Sequence, residues 1–303
     1  MGTGQKIFYD RCLHFLTAGA GLTILALLAI LIGNICYHGW EKLSWEFLTA
    51  APSAGMTEGG IFPAIFGTMA LVLLMTVFVV PAGVLVAVYF SEYADRRSWF
   101  YRISRQAVNN LAGVPSIVFG LFGLGFFVQF VGRSMDRAFY GGELVYGQPA
   151  LIWASLTMAI LTLPVVIVSV EEALQTVPRS YREASYALGA TKAQTVFRVV
   201  LPSAMPGVLT GSVLAVSRAA GEVAPILFVG VAYYLPKIPA RLNDQFMNLG
   251  YHVFIMSTQS PNVDATRPLL YSTVLLLLAL TFALNAVAVV IRVRMRVARR
   301  RAG

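Results

Sequence analysis

The sequence predicts an all-α, polytopic membrane protein in which six transmembrane helices form a single domain over residues 1–303. Of the 303 residues, 57% are hydrophobic and only 12% are charged. A soluble domain this apolar would lack the polar side chains needed to cover its surface. Six apolar runs are each long enough to cross a bilayer, which takes about 20 residues per helix. These runs lie at 13–37, 62–90, 106–131, 149–170, 203–232 and 268–292.

The distribution of lysine and arginine predicts how these helices are oriented. Sixteen basic residues lie in the two tails and in the second and fourth loops, whereas six lie in the other three loops. Because cytoplasmic loops carry the excess of Lys and Arg, both termini are expected in the cytoplasm, in a multi-pass protein of the inner or plasma membrane. The net charge of +9 is then explained by membrane orientation, and nucleic acid is not expected as a partner.

Several kinds of site are not expected. Cys12 and Cys36 lie near opposite ends of the first run, about 36 Å apart along a helix, which is too far for a disulfide. The histidines are scattered without the spacing of metal ligands. The sequence contains no G-x-x-x-x-G-K-[ST] motif, so the chain is expected neither to bind a cofactor nor to hydrolyse ATP as an enzyme. The first run is too long for a signal-peptide core and is expected to be a retained span.

The polar stretch 171–202, between the fourth and fifth runs, carries signals for two short helices. Gly189 suits the left-handed position that ends a helix. Thr191 and Gln194 have the spacing of a capping box, which predicts that a second helix starts there and ends before Pro202. From the residues alone, an amphipathic hairpin between two membrane spans is one interpretation of this pattern.

The same stretch resembles the EAA loop of ABC-importer membrane subunits. The matching residues are Glu183, Ala184, Gly189, Leu201 and Pro202, whereas Ser185 replaces the second alanine of the family pattern. The resemblance implies that these five residues couple the chain to a dimer of ATPase subunits, which would carry ATP and Mg²⁺. It also agrees with the cytoplasmic location that the basic residues predict for this loop.

The third run contains an unusual string of small residues between Asn109 and Gly125, with Pro115 and Ser116 near its centre. Small residues let membrane helices approach closely, which explains most of the glycines. Alternatively, the string is an irregular segment that lines a pathway, because Pro115 frees a backbone carbonyl and Ser116 offers a hydroxyl. The string is also similar to that of phosphate-transport permeases.

Two charged residues, Arg218 and Glu222, lie inside the fifth run, four residues apart and therefore expected on one helix face. A charge at the centre of a bilayer costs about 2.5–3.5 kcal/mol or more and usually faces water or protein. One interpretation is a structural ion pair that neutralises itself. The other is a substrate path in which Arg218 binds an anion, since a guanidinium offers several donors to a tetrahedral oxyanion. The residues alone leave both interpretations open.

The segment from Arg218 to Pro225, together with the two motifs above, resembles the permease subunits of phosphate-specific ABC importers across nearly the whole chain. The resemblance implies the type I ABC-importer permease fold, inorganic phosphate as the substrate, and a role for Arg218 and Glu222 in its translocation. It further implies three protein partners besides membrane lipid: a second permease subunit, the ATPase dimer and an external phosphate-binding protein.

The resemblance is incomplete at one point. Some relatives carry a second membrane arginine near the end of the fourth span, where this chain has Glu171, Glu172 and Gln175. The alternatives to a phosphate permease are a permease for another oxyanion such as sulfate or molybdate, an ion-driven secondary transporter or channel, and a sensory membrane protein. A secondary transporter is disfavoured because no inverted repeat is visible.

Overall fold

The computed structural model describes residues 3–53, 58–260 and 263–302. Twelve α-helices and one short antiparallel hairpin are present in these ranges. The helices are α1 Thr3–Gly39, α2 Trp45–Thr49, α3 Phe62–Val88, α4 Trp99–Ala112, α5 Ser116–Phe122, α6 Arg133–Phe139, α7 Leu151–Gln175, α8 Arg179–Ala187, α9 Lys192–Thr195, α10 Leu201–Ala219, α11 Leu249–Thr258 and α12 Val263–Ala302. The hairpin pairs β1 Pro52–Ser53 with β2 Glu58–Gly59.

Within the described residues, six helical stretches are long and apolar enough to cross a membrane, as the sequence predicts. They are Asp10–Gly39, Phe62–Tyr93, Ser116–Phe139, Leu151–Gln175, Lys192–Ala219 and Thr266–Met295. Several of them extend α-helices through π-helical turns, at Tyr89–Tyr93, Gly123–Gly132 and Val196–Val200. The end of the bundle that carries residues 176–202 is called the inner end below.

Helix α7 lies at the centre of the bundle, packed between α3 and α10. Two glycines one turn apart on α10 allow this packing, because a side chain at either position would collide with α7. A Cβ atom at Gly207 would lie 2.8 Å from the Cβ of Ala173, and one at Gly211 would lie 2.6 Å from that of Ser169. This spacing of small residues is the usual means by which two membrane helices come into close contact.

Helix α1 is peripheral and packs mainly against α12. The Ser272 hydroxyl donates to the Gly39 carbonyl at 2.7 Å, which joins the ends of these two helices. No residue is buried in the most apolar 18-residue stretch of α1. The apolar side chains of α1 are therefore free to face lipid or another membrane subunit.

The third predicted span, 106–131, is not one continuous helix. Helix α4 ends at Ala112, residues 113–115 are irregular, and a new helix begins at Ser116. Pro115 has an extended ψ of 137° and precedes the first residue of α5. A proline cannot donate the backbone hydrogen bond that a continuous helix requires, which explains the break.

The fifth predicted span, 203–232, ends earlier than expected. Helix α10 stops at Ala219, and the chain continues through a turn and a 3-10 turn at Ala224–Ile226. The following segment then caps the start of α7: the amides of residues 150, 151 and 152 donate to the carbonyls of Val229, Asp244 and Leu242 at 2.8, 2.9 and 3.0 Å. These carbonyls satisfy the amides that every helix leaves free at its N-terminus.

The polar stretch 171–202 contains the two expected helices, α8 and α9, but with different limits. Gly189 lies between them with a φ of +81°, and Thr191 and Gln194 form both hydrogen bonds of a capping box. Residues 171–175 belong to the last turns of α7, however. The second helix does not end before Pro202 either, because a π-helical turn joins α9 directly to α10.

The predicted outer loops 38–61, 132–148 and 233–267 contain short helices, α2, α6 and α11; residues 54–57 and 261–262 lie outside the described residues. Residues 251–256 in the last of these loops belong to α11, which packs against α12 and α3. In the middle loop the buried carboxylate of Asp136 accepts hydrogen bonds from the backbone amides of Val145, Tyr146 and Gly147, at 3.2, 2.7 and 2.6 Å.

Candidate functional site

A cavity of about 350 Å³ lies halfway along α7. Its wall combines residues from the end of α4, the break before α5, the middle of α7 and the end of α10. The lining residues are Leu111, Ala112, Val114, Ser116, Leu161, Thr162, Pro164, Val165, Ala215, Arg218, Ala219 and Glu222. Ser116, Arg218 and Glu222, which were predicted from separate motifs, therefore lie on one cavity at the middle of the bundle.

The charges in this cavity are not arranged as predicted. Because α10 ends at Ala219, Arg218 is on the last helical turn and Glu222 lies beyond it, so the two do not share a helix face. Among the residues described in the structure, neither side chain takes part in an ion pair. Arg218 is exposed and Glu222 is half-buried. The arginine therefore directs an unpaired guanidinium, a donor suited to oxyanions, into the cavity.

The break between α4 and α5 forms one side of the cavity. Two of its glycines differ in role. A Cβ atom at Gly120 would lie 2.9 Å from the Pro225 carbonyl oxygen, which is too close. A Cβ atom at Gly113 would lie 3.5 Å from the carbonyl oxygen of Asn110 in the preceding turn, which is an ordinary contact. Gly120 thus serves close packing, as the composition suggests. The irregular segment itself lines the cavity, where water or protein can satisfy its backbone, as membrane proteins require.

Three of the predicted coupling residues lie on an exposed surface, on α8 or just after it. Glu183, Ala184 and Gly189 are exposed, and the neighbouring Leu188 is 89% exposed. Leu201 and Pro202 lie at the start of α10, about 24–26 Å of helical length before Arg218.

Ser185, the departure from the family pattern, points inward instead. It is 9% exposed, and its hydroxyl lies 2.9 Å from the Thr195 hydroxyl. This hydrogen bond ties α8 to the helix that follows it. Serine at this position therefore has a structural role that alanine would not have.

Arg182 fixes α8 to the membrane helices. Its guanidinium donates to Glu92 at 2.6 Å, to the Val177 carbonyl at 2.9 Å and to the Leu174 carbonyl at 3.2 Å. Glu92 follows α3, and Leu174 belongs to the last turn of α7. One side chain thus joins the exposed loop to two of the central helices. From the sequence, Arg182 is recognisable only as one of the basic residues of the fourth loop.

A second ion pair that the sequence did not reveal joins Arg105 of α4 to Glu171 of α7. Glu171 is 7% exposed, and the Arg105 guanidinium also lies 5.9 Å from the centre of the Phe90 ring. These two charges are 66 residues apart, and no local motif connects them. The sequence offers one indication of this pair: Glu171 directly follows one apolar run, and Arg105 directly precedes another.

Comparison with known proteins agrees with this architecture. The sequence profile of the family described as "Binding-protein-dependent transport system inner membrane component" matches residues 79–297. A Bacillus subtilis (strain 168) protein, "Probable ABC transporter permease protein YqgI", is 34% identical over 211 residues, which cover 69% of this chain and 67% of that protein. A Mycobacterium tuberculosis (strain CDC 1551 / Oshkosh) protein, "Phosphate transport system permease protein PstA 1", is 34% identical over 201 residues, which cover 65% of this chain but only 61% of that relative.

The fold is also found in solved structures. In a bacterial ABC transporter involved in the import of the acidic polysaccharide alginate, one chain superposes with a TM-score of 0.63, over 94% of this chain and 97% of that chain. Since its sequence identity is 14%, the likeness concerns the fold alone. The family profile, the relatives and the six helices lead to one assignment: the chain belongs to the family of binding-protein-dependent transport system inner membrane components, and is a multi-pass permease subunit of an ABC importer with the type I fold.

Proposed function

We propose that this permease subunit carries inorganic phosphate through the cavity halfway along α7. The observation that supports this most directly is the unpaired guanidinium of Arg218 in that cavity, beside Glu222 and the Ser116 residue. A guanidinium matches the geometry of a phosphate oxyanion, and a hydroxyl adds a further donor or acceptor. The similarity to a phosphate transport system permease protein supports the same substrate.

Glu222 has a complementary role in this proposal. Its carboxylate lies on the same cavity without forming an ion pair, among the described residues, with any cation. When the cavity is empty, a nearby negative charge offsets the uncompensated cation, and when phosphate is present it weakens binding. Transport requires both effects, because an anion that is held too tightly would not be released.

The exposed α8 loop is the proposed point of attachment for a dimer of ATPase subunits. Glu183, Ala184 and Gly189 would contact the ATPase, while Leu201 and Pro202 join the loop to α10, which carries Arg218 at its far end. ATP and Mg²⁺ would bind to the ATPase and not to this chain. The remaining partners would be a second, similar permease subunit that completes the path and an external phosphate-binding protein that delivers the ion. Both termini and the α8 loop would lie in the cytoplasm.

The test is substrate-stimulated ATP hydrolysis by the complete transporter, reconstituted with its binding protein. Phosphate should stimulate hydrolysis and accumulate inside the vesicles, whereas sulfate should do neither. Stimulation by sulfate alone would assign the chain to a different oxyanion. Transport that proceeds without ATP would contradict the coupling to an ATPase.

A further inference from the structure

We propose that the Arg105–Glu171 ion pair positions α4 as the inner wall of the cavity, so that loss of the pair opens the cavity toward the inner end. This adds a positioning pair to the path, and its bearing on phosphate release rests on the proposed function. Neither residue lines the cavity itself. Their effect would be exerted through the position of α4.

Helix α4 is held to the bundle by a narrow stripe of side chains. No residue of α4 is buried. The partly buried residues fall on one face, at positions 101, 104, 105, 108 and 111. Tyr101 and Val108 pack against the central core, and the Tyr101 ring lies 5.5 Å from that of Phe90. Arg105 is at the middle of this stripe, so a charged residue occupies the centre of the contact between α4 and the bundle.

Removing one partner of the ion pair is costly because the other partner is buried. Glu171 on α7 is 7% exposed. Among the described residues, Arg105 is the cation that forms an ion pair with it. Removing either partner leaves the other without its counter-ion in a region of low dielectric, which strongly destabilises the contact. Few apolar contacts remain on α4 to compensate for that loss, since none of its side chains is fully buried.

The pair lies between the cavity and the inner end of the bundle. The cavity-lining residues Leu111 and Ala112 follow Arg105 by about 10 Å of helix. On the other helix, Thr162 and Pro164 precede Glu171 by about 10–13 Å. Both helices therefore place the pair at the same depth. A shift of α4 away from α7 would open the cavity on the side where the pair now closes the contact.

The opposite face of α4 is open, which allows such a shift. Arg102, Gln106 and Asn110 follow one another at successive turns and, together with Trp99, Ile103 and Ala107, line a groove of about 550 Å³. All six lining residues belong to α4, so no other described element forms a wall that would block movement of α4 in that direction.

The test measures the accessibility of a buried cysteine in the cavity wall. Thr162 is 4% exposed and lies on α7 in the wall of the cavity, so Thr162→Cys, in a chain that also carries Cys12→Ser and Cys36→Ser, is the reporter. Membranes containing the full transporter are opened so that both faces are accessible, and the rate of modification by a membrane-impermeant maleimide is measured without ATP or phosphate. The added variants are Arg105→Gln, Glu171→Gln and the double substitution. If a single variant does not fold, the double variant still tests the proposal, because it leaves no buried charge without a partner.

Each single variant should raise the modification rate at least about tenfold, because it leaves the other charge buried without its counter-ion. The double variant should also raise the rate, but by less, because it removes the attraction between α4 and α7 without stranding a charge. The matched control is Arg102→Gln, one turn away on the exposed face and in no ion pair among the described residues. Its rate should remain within about twofold of the parent rate, since exposed charges contribute little.

An unchanged or lower rate in the double variant overturns the proposal, as does an equal rise in Arg102→Gln. Since the assay contains neither phosphate nor ATP, its outcome does not depend on which ion is carried. Failure of phosphate uptake in the parent transporter would contradict the proposed function and leave the accessibility result intact.

Discussion

At the scale of single residues, the difference between Arg218 and Arg182 separates two functions. Arg218 is exposed to the cavity and unpaired among the described residues, whereas Arg182 is held by a carboxylate and two carbonyls. An unpaired arginine in a membrane protein is available to a ligand. An arginine with several partners positions the elements that those partners belong to. Substitution should therefore affect different steps of transport.

Arg218→Gln should lower phosphate uptake about 10- to 100-fold, because a hydrogen bond to a charged group contributes about 1.5–3 kcal/mol. Since Arg218 forms no ion pair in the described structure, this substitution strands no partner, and the protein should still fold. The measurement is uptake of labelled phosphate, normalised to the amount of protein in the membrane. Arg137→Gln, at an exposed arginine of α6, is the control. Normal uptake by Arg218→Gln would remove this residue from the path.

Adding Glu222→Gln to Arg218→Gln separates the two interpretations that the sequence left open. If the charges form a structural ion pair in another state of the transport cycle, the double substitution should restore uptake, because it removes both charges together. We expect uptake to remain low in the double variant while ATP hydrolysis persists. Recovery to the parent rate would establish a structural pair instead.

Arg182→Gln should uncouple ATP hydrolysis from transport. The substitution removes the cation beside Glu92, whose side chain is 9% exposed, and the donors to two carbonyls at the end of α7. We expect phosphate uptake to fall at least about tenfold. ATP hydrolysis should decrease less, because the exposed docking surface of α8 is unchanged. Arg179→Gln, on the same helix and exposed, is the matched control; an equal loss there would attribute the effect to loop charge and not to the contact.

At the scale of secondary structure elements, local signals were reliable and continuity was not. Gly189 and the Thr191 capping box were predicted because each depends on residues within one turn. The break after Ala112 was one of two open interpretations of the small-residue string, and the end of α10 at Ala219 was not predicted, because the apolar composition continues past both points. Hydropathy records side-chain composition and does not record which backbone groups find hydrogen-bond partners elsewhere, as the carbonyls near Val229 do at the start of α7.

The candidate site was predictable in part for the same reason. Ser116, Arg218 and Glu222 were identified as unusual within their own segments, and the structure brings them to one cavity. Their role in transport stays a prediction. The pairing of Arg105 with Glu171 depends on how α4 packs against α7, which one sequence does not reveal.

The turn between α8 and α9 provides a prediction for a single element. Gly189 has a φ of +81°, a conformation that costs other L-residues about 1–2 kcal/mol and β-branched residues more. Gly189→Val should therefore misalign the two helices and lower uptake, while membrane insertion persists. Gly189→Asn is the matched control, since asparagine tolerates the left-handed region, and it should retain most of the uptake. Equal, normal uptake by both well-expressed variants would show that the turn does not matter for coupling.

Helix α11 should make the stability of the protein depend on pH. Burial lowers the pKa of His252 from 6.5 to about 4, and its side chain is 3% exposed. Above about pH 6.5 the imidazole is neutral in both folded and unfolded states, so it has no effect. Between pH 6.5 and about 4 only the unfolded state gains the proton, which lowers the free energy of unfolding by up to about 3 kcal/mol.

The measurement is the thermal unfolding midpoint in detergent at about pH 7 and about pH 5. The parent protein should lose more stability between these values than His252→Phe, which keeps an aromatic ring without the titrating group. The difference between the two pH dependences isolates this residue from the other titrating groups. Identical pH dependence in both proteins would contradict the assignment of a buried, neutral histidine.

At the scale of the whole molecule, the proposed mechanism requires the α8 loop and the outer loops to lie on opposite sides of the membrane. The bundle has six candidate spans among the described residues, an even number, so the N-terminal and C-terminal helices end on the same side. The distribution of sixteen basic residues against six predicts that this side, together with α8, faces the cytoplasm. Coupling to a cytoplasmic ATPase is possible only with this orientation.

Orientation is testable with two cysteines in a chain that carries Cys12→Ser and Cys36→Ser. Ser180 on α8 and Gln259 at the end of α11 are both exposed, so each substituted thiol is accessible to reagent on its own side. With an impermeant thiol reagent, Gln259→Cys should react in intact cells, whereas Ser180→Cys should react only after the membrane is permeabilised. Because a single candidate span, Lys192–Ala219, separates these two positions, they lie on opposite sides, and reversing the orientation would exchange the two results. That reversed pattern would place α8 outside the cell, out of reach of ATP, and would overturn the coupling proposal together with the orientation.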